Sequence, residues 1–426
     1  MFVDLGRRLS GIQLFCMAGI IAACSFFFKL DTIMHIDWTF PYLSGAANYS
    51  TLFDWQISPS DYEKVAVLSP EKHRAYHYHA TKETMTYSTL EYGYVLVVLL
   101  ARHLFPWLGD IQALIVLQVG LHILISLLMV QYCLNTGLRR GLFFILYAIN
   151  PVVLHIVTLP FYNFWTVLPS VALAAVWFKP RQSRLLVPVF TFVMLFSLLI
   201  RPLTIFLTLF VFGVAFYKDT SLRGRQIIAG SFLCFVAGLA VIYQQSHRTH
   251  RSFFHTAYIA IGAYSNPHGI DTFTDKTGYQ YYYQKTGERI STNVLHGNFK
   301  EQKVMARYNE TLKARYLQIL HDTPMLLIRN ALFNTVQAFG VGYVMDHDWP
   351  RALTILIGLS SMCLLFATRQ WVWLSAILLY SMSYTPYCPP ISCYQFGADL
   401  LVVLGVSAAL DKLFERYKAS FYMRFA

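Results

Sequence analysis

The sequence predicts an all-α polytopic membrane protein with about ten transmembrane helices (10–12) and interfacial helices in two large external loops. Three observations predict it. Apolar residues make up 56% of the chain and charged residues only 13%, where a soluble domain carries roughly a quarter. The 426 residues would suffice for several soluble domains, but not with so little charge to cover their surfaces. Most of the apolar residues gather in runs of about 16–23, the length that crosses a bilayer. The Lys and Arg residues, finally, cluster in short connections between those runs. The net charge of +12 therefore reads as a topology signal facing anionic lipid head groups, and nucleic acid is not an expected partner.

Spans are expected at 11–29, 111–133, 142–158, 164–178, 185–200, 202–217, 226–243, 351–367, 371–386 and 394–410. Arg7 and Arg8 precede the first, and no small-residue cleavage site follows it. It reads as a retained span with a cytoplasmic amino terminus. Two further apolar stretches, 89–105 and 324–345, are decided by the positive-inside rule. Arg139-Arg140, Lys179 with Arg181 and Arg184, Lys218 with Arg223 and Arg225, and the tail residues Lys412, Arg416 and Lys418 share one side only if neither stretch crosses. Both are expected to lie at the outer interface or to dip in and out. Three regions follow. Residues 1–243 form an amino-terminal transmembrane module with a first external loop at 30–110, residues 244–350 a large external loop, and 351–426 the last helices and a cytoplasmic tail. Loops this long are usually functional.

The first external loop is acidic. Asp31 and Asp37 follow the first span directly, beside Trp38, Phe40 and Tyr42. A carboxylate at that boundary is either a partly desolvated base or a hydrated helix cap. Arg201-Pro202 lies between two apolar runs, where its fork suits a phosphate or simply snorkels to the interface. His73, His77 and His79 have one metal-compatible i, i+4 spacing without further ligands, so a polar loop is the plainer reading. Tyr279, Tyr281, Tyr282 and Tyr283 suit stacking on sugar rings or anchoring at head-group level. No phosphate-binding glycine loop, Ser-His-Asp set or cysteine metal spacing is present in the sequence.

Several segments together look familiar. They are Tyr87-Ser-Thr-Leu-Glu91-Tyr92-Gly-Tyr94, the span ending in Arg139-Arg140, Asn150-Pro151, and Pro389-Pro-Ile-Ser-Cys-Tyr394-Gln-Phe-Gly-Ala-Asp-Leu. This layout resembles the polyprenyl-phosphate-sugar-dependent membrane glycosyltransferases of the GT-C fold, which include protein mannosyltransferases and lipid A aminoarabinose transferases. The likeness covers about the first 200 residues and the last 40.

The resemblance implies a catalytic acidic residue soon after the first span. Asp37 matches that position, and Asp31 is the alternative. Trp38 follows Asp37, so the paired Asp-Glu of some members is absent. Where the family often has a second acidic residue after the Asn-Pro, this chain has Asn163. A divalent cation therefore stays an open expectation with no metal ligand assigned. Asp37 would act as general base in an inverting transfer. Arg201, or failing it Arg248 or Arg251, would face the departing lipid phosphate, and Tyr42, Glu91, Asn163 and Tyr279 would contact substrate. The implied partners are a polyprenyl-phosphate-sugar donor, a glycan, lipid or protein acceptor, and membrane lipids. The implied location is a bacterial inner membrane with the site facing the periplasm, or else the endoplasmic reticulum. Two rivals remain: a polymerase or ligase using polyprenyl-diphosphate-linked glycans, and a transporter or flippase. The acidic first loop argues against the former, and the lack of matching halves against the latter.

Overall fold

The computed structural model describes residues 9–27, 36–52, 56–81, 83, 85–86, 92–179, 183–246, 253–293, 296–340 and 348–425. These are almost entirely helical. Among the described residues, the strands are Gln56–Ile57 and Met85–Thr86, a two-residue antiparallel clip in the first loop. Helix α1 (Gly11–Phe27) leads to α2 (Ile36–Leu52), α3 (Pro59–Ala66), α4 (Pro70–Arg74) and α5 (Tyr92–Leu104). Next come α6 (Asp110–Leu128), α7 (Gly137–Phe143), α8 (Pro151–Val157), α9 (Leu168–Phe178), α10 (Ser183–Ile200), α11 (Ile205–Lys218) and α12 (Leu222–Ser246). The second loop carries α13 (Phe253–Ala260), α14 (Asp275–Thr286), α15 (Gln302–Asp322) and α16 (Pro324–Gln337). The chain closes with α17 (Asp348–Ala367), α18 (Trp371–Ser381) and α19 (Ser392–Phe425).

The count of full-length spans differs from the sequence expectation. Among the described residues two helices, Asp110–Cys133 and Leu222–Val241, are long and apolar enough to cross a membrane. The pair Gly137–Ala148 and Pro151–Val157, bent by 55°, makes a third if it counts as one span. Shorter apolar helical stretches, among them Gly11–Phe27, Leu185–Ile200 and Arg351–Ala367, have 10–17 residues, roughly 15–26 Å of rise against an apolar layer of about 30 Å. Local chemistry explains the shortening. Asn150 caps α8 by accepting the Val152 N–H at 2.9 Å, and Pro151 occupies its first turn, so the expected 142–158 helix restarts there. The 164–178 segment begins as a 3₁₀ turn, Tyr162–Val167, ahead of Pro169.

The bundle has an apolar core that also encloses polar side chains, and it exposes many large apolar ones. Gln118, His122, Ser126, Ser170 and Asp399 are buried, while Phe15, Leu185, Phe192, Leu233 and Phe366 are exposed. Helix α16 shows this most plainly, with Asn330, Asn334 and Gln337 buried and Met325, Ile328 and Leu332 exposed. A water-facing helix would do the opposite.

The basic connections gather at one end. Arg139 pairs with Asp411 at 2.8 Å, Lys412 donates to Thr368 O at 2.8 Å, and Lys218 lies 3.7 Å from the Trp177 ring, which packs on Trp373. Leu9 at the start of α1 reaches the same end, its N–H donating to Gln131. The described parts of the two disputed stretches, α5 and α16, pack away from it. Helix α5 begins against Ile200 and ends beside Asp110, both away from the basic end. Helix α16 descends only as far as Gly358, halfway along α17, where Val336 O would stand 2.1 Å from an added Cβ.

The second loop has a small core of its own, built on Tyr258, Tyr282, Tyr308, Leu312 and Ile319. It meets the bundle through Asn334 of α16, which accepts from the Tyr264 hydroxyl at 2.6 Å and donates to Thr385 O at 3.0 Å, and through Phe253, 4.7 Å from the Tyr387 ring.

Candidate active site

The site forms at the end opposite the basic connections. The Arg201 N–H donates to Ser197 O at 2.7 Å, and its backbone is extended ahead of Pro202, as a residue preceding proline prefers. Helix α10 ends there, and the guanidinium lies 4.4 Å from the Tyr162 ring and 5.3 Å from the Tyr394 ring. Both are distances at which an aromatic face attracts a cation. Burial pushes the Tyr387 phenol up to about 12, with the nearby Arg201 charge pulling it down.

Three other segments complete the aromatic wall. Phe161 stacks on Tyr162 at 3.7 Å. Helix α2 brings Tyr42 to 6.3 Å from Tyr162, and α5 brings Tyr94 to 6.1 Å from Tyr162 and 5.0 Å from Tyr42. The approach of α5 depends on Gly93, because a Cβ there would stand 2.6 Å from the Ile200 nitrogen. The Tyr94 hydroxyl and Asn163 Oδ1 are buried with no hydrogen-bond partner among the described residues. The cage thus holds a permanent cation and aromatic faces, Tyr94 with its unpaired hydroxyl among them.

Of the residues singled out from the sequence, Tyr42 and Arg201 both approach Tyr162 here, and Asn163 follows Tyr162 in the same 3₁₀ turn. Asp37 lies on the first turn of α2, about 7.5 Å along the axis from Tyr42. Asp31, Glu91, Arg248 and Arg251 lie outside the described residues. Tyr279 belongs elsewhere. Its ring lies parallel to His255 at 5.5 Å inside the core of the second loop, where the Tyr282 ring is also buried. Tyr94, Phe161, Tyr162 and Tyr394 were missed as site residues, although each sits in a segment that the sequence pattern marks.

A second feature lies on the first loop. Asp110 accepts from the Tyr78 N–H at 3.0 Å and pairs with Arg102, while its own N–H donates to Tyr76 O. Asp61 accepts from the Tyr76 hydroxyl at 3.0 Å and the His79 N–H at 3.1 Å. With both carboxylates withdrawn, an open cleft of about 610 Å³ presents Lys72, Tyr76, His77, His79 and Arg102. Its inner wall, Tyr78, packs 5.7 Å from Phe40 of α2, two residues from Tyr42. The histidines do not act together: His73 Nε2 meets the Tyr78 hydroxyl at 2.7 Å, and His77 lies 3.8 Å from Asp110. Burial lowers His73 to about 4. Among the described residues no three metal-ligating side chains converge.

No protein-family model, no curated protein and no solved structure matches this chain.

Proposed function

We propose that this chain is a multi-pass membrane glycosyltransferase of the GT-C type, transferring a sugar from a polyprenyl-phosphate donor to a cell-envelope glycan, lipid or protein. The observation that carries the reading is the convergence on Arg201. The helix that carries Asp37 in its first turn supplies Tyr42 to an aromatic wall around a guanidinium that never titrates. That arrangement suits a lipid phosphate held at Arg201 with its sugar against the tyrosine faces. The apolar exterior supports a bilayer setting, and the gathered basic end supports a site on the opposite, periplasmic face of a bacterial inner membrane.

The acceptor hydroxyl oxygen attacks the anomeric carbon, a new C–O bond forms, and the bond from that carbon to the phosphate oxygen breaks. Asp37 takes the hydroxyl proton. The lipid phosphate leaves with the bonding pair, its charge met by Arg201. A single displacement inverts the anomeric centre. The cleft at Tyr76 and His77 suits the acceptor, being of ligand size and backed by the same helix.

The test is sugar transfer by purified protein from radiolabelled polyprenyl-phosphate donors. Asp37→Asn should lower turnover by about 10²–10⁴-fold, the usual share of a general base. Unchanged transfer in that variant removes Asp37 from the mechanism. Transfer only from diphosphate-linked donors moves the chain to the polymerase or ligase class.

A further inference from the structure

A separate group of buried polar side chains lies where α6, the π-helical turn Phe144–Ala148 and α19 meet. Asp399 is 1% exposed, and His122, Ser126 and Tyr147 are fully buried. His122 and Ser126 stand one turn apart on α6 and so share a face. The Tyr147 ring lies 5.4 Å from His122 and 6.4 Å from Phe396, which stands one turn before Asp399. Tyr147 thus packs on the stretch of α19 that carries Asp399, and Gln395 stands one turn before Asp399 on the same helix.

Each of the four has a polar atom with no partner among the described residues: Asp399 Oδ1, Tyr147 OH, His122 Nδ1 and Ser126 Oγ. His122 Nε2 meets Ala148 O at 3.0 Å. A carbonyl only accepts, so Nε2 carries the proton and Nδ1 presents a bare lone pair. All four atoms can accept, and no Lys or Arg among the described residues acts on Asp399. Buried polar atoms are nearly always paired, and an uncompensated buried carboxylate is strongly unfavourable. The π-helical turn under Tyr147 is a geometry that recurs at functional sites.

We propose that Asp399, with Tyr147 and His122, forms a cation site inside the helix bundle, taking up positive charge as a proton or a sodium ion. Carboxylate–histidine groups buried in apolar bundles typically mark ion or proton routes. The site is distinct from the Arg201 cage and does not rest on the sugar-transfer reading. Around it stand Tyr147 from the π-helical turn, whose ring lies 5.4 Å from His122 of α6, and Tyr380 from α18, whose hydroxyl lies 2.8 Å from where a Gly397 Cβ would be. On α19 itself the next charges are Asp411 and Lys412, about three turns on, held by Arg139 and Thr368.

The experiment uses the full chain in detergent micelles and follows the thermal midpoint in two arms. One titrates sodium chloride against choline chloride at fixed alkaline pH, and the other varies pH without sodium. A sodium site raises the wild-type midpoint with sodium. A proton site gives a midpoint that is highest in acid and falls as pH rises through the folded-state titration of Asp399. In either case Asp399→Asn, which mimics the neutral acid, loses that response. Tyr147→Phe keeps the packing and shifts the half-response by roughly fivefold, the value of one hydrogen bond. Identical responses of wild type and Asp399→Asn in both arms overturn the site. If Asp399→Asn does not fold, an unchanged half-response in Tyr147→Phe overturns it instead.

Discussion

Replacing Arg201 with alanine removes both parts of the role assigned to it, and the two parts have different sizes. The guanidinium lies 4.4 Å and 5.3 Å from two aromatic rings. At a half-buried position such contacts contribute together about 1–2 kcal/mol. Arg201→Ala should therefore lower the thermal midpoint by a few degrees, and the chain should still fold. Its effect on transfer should be far larger. Removing a group that meets developing negative charge costs about 10²–10³-fold, so kcat/KM should fall by that factor with a polyprenyl-phosphate donor. Arg201→Lys separates the parts: it keeps the charge and loses the flat stacking surface and the two-pronged donor. It should lose nearly as much stability as alanine while retaining activity at least roughly tenfold above it. The assay is initial-rate transfer by folded protein at several donor concentrations, with melting curves measured alongside. If Arg201→Ala melts earlier yet retains kcat/KM within a factor of about three, Arg201 only holds Tyr162 and Tyr394 together. The phosphate role would then be refuted.

Gly109→Ala tests the anchor of the first loop: its Cβ would stand 2.4 Å from both Ala75 C and Arg74 O, which are backbone atoms. It should cost about 1–3 kcal/mol, as overpacking does, with the segment around Tyr76 becoming sensitive to limited proteolysis before the rest of the chain. His73→Gln tests a pH dependence. The folded-state value is about 4 against an ordinary 6.5, so between these values the unfolded chain binds a proton that the folded chain does not. His73 is then stability-neutral above 6.5, and stability falls as pH drops from 6.5 towards 4, by up to about 3 kcal/mol. The glutamine variant should flatten that stretch of the stability–pH profile, and an unchanged slope would refute the assignment.

Positive charge in short connections has a direct physical cause, so Arg139, Lys218 and Lys412 could be grouped without knowing any contact, and the structure brings Arg139 and Lys412 to the same stretch of α19. Helix length was less legible. Hydropathy continues through Asn150-Pro151 and through Tyr162–Val167, but the cap and the 3₁₀ turn interrupt the α-helix there. The cage was legible only in part, because Arg201 and Tyr394 are 193 positions apart and nothing local records that they meet. Tyr279 shows the opposite failure. A run of tyrosines reads as a binding surface, yet the helical period of α14 turns Tyr279 and Tyr282 into the loop core and leaves Tyr283 outside.

The segment 394–399 was legible as a pattern but not as chemistry. It supplies Tyr394 to the Arg201 cage and Asp399 to the buried polar group, about 7.5 Å apart along one helix. Because α19 is unbroken from Ser392 to Phe425, the two sites are held by a single rigid element.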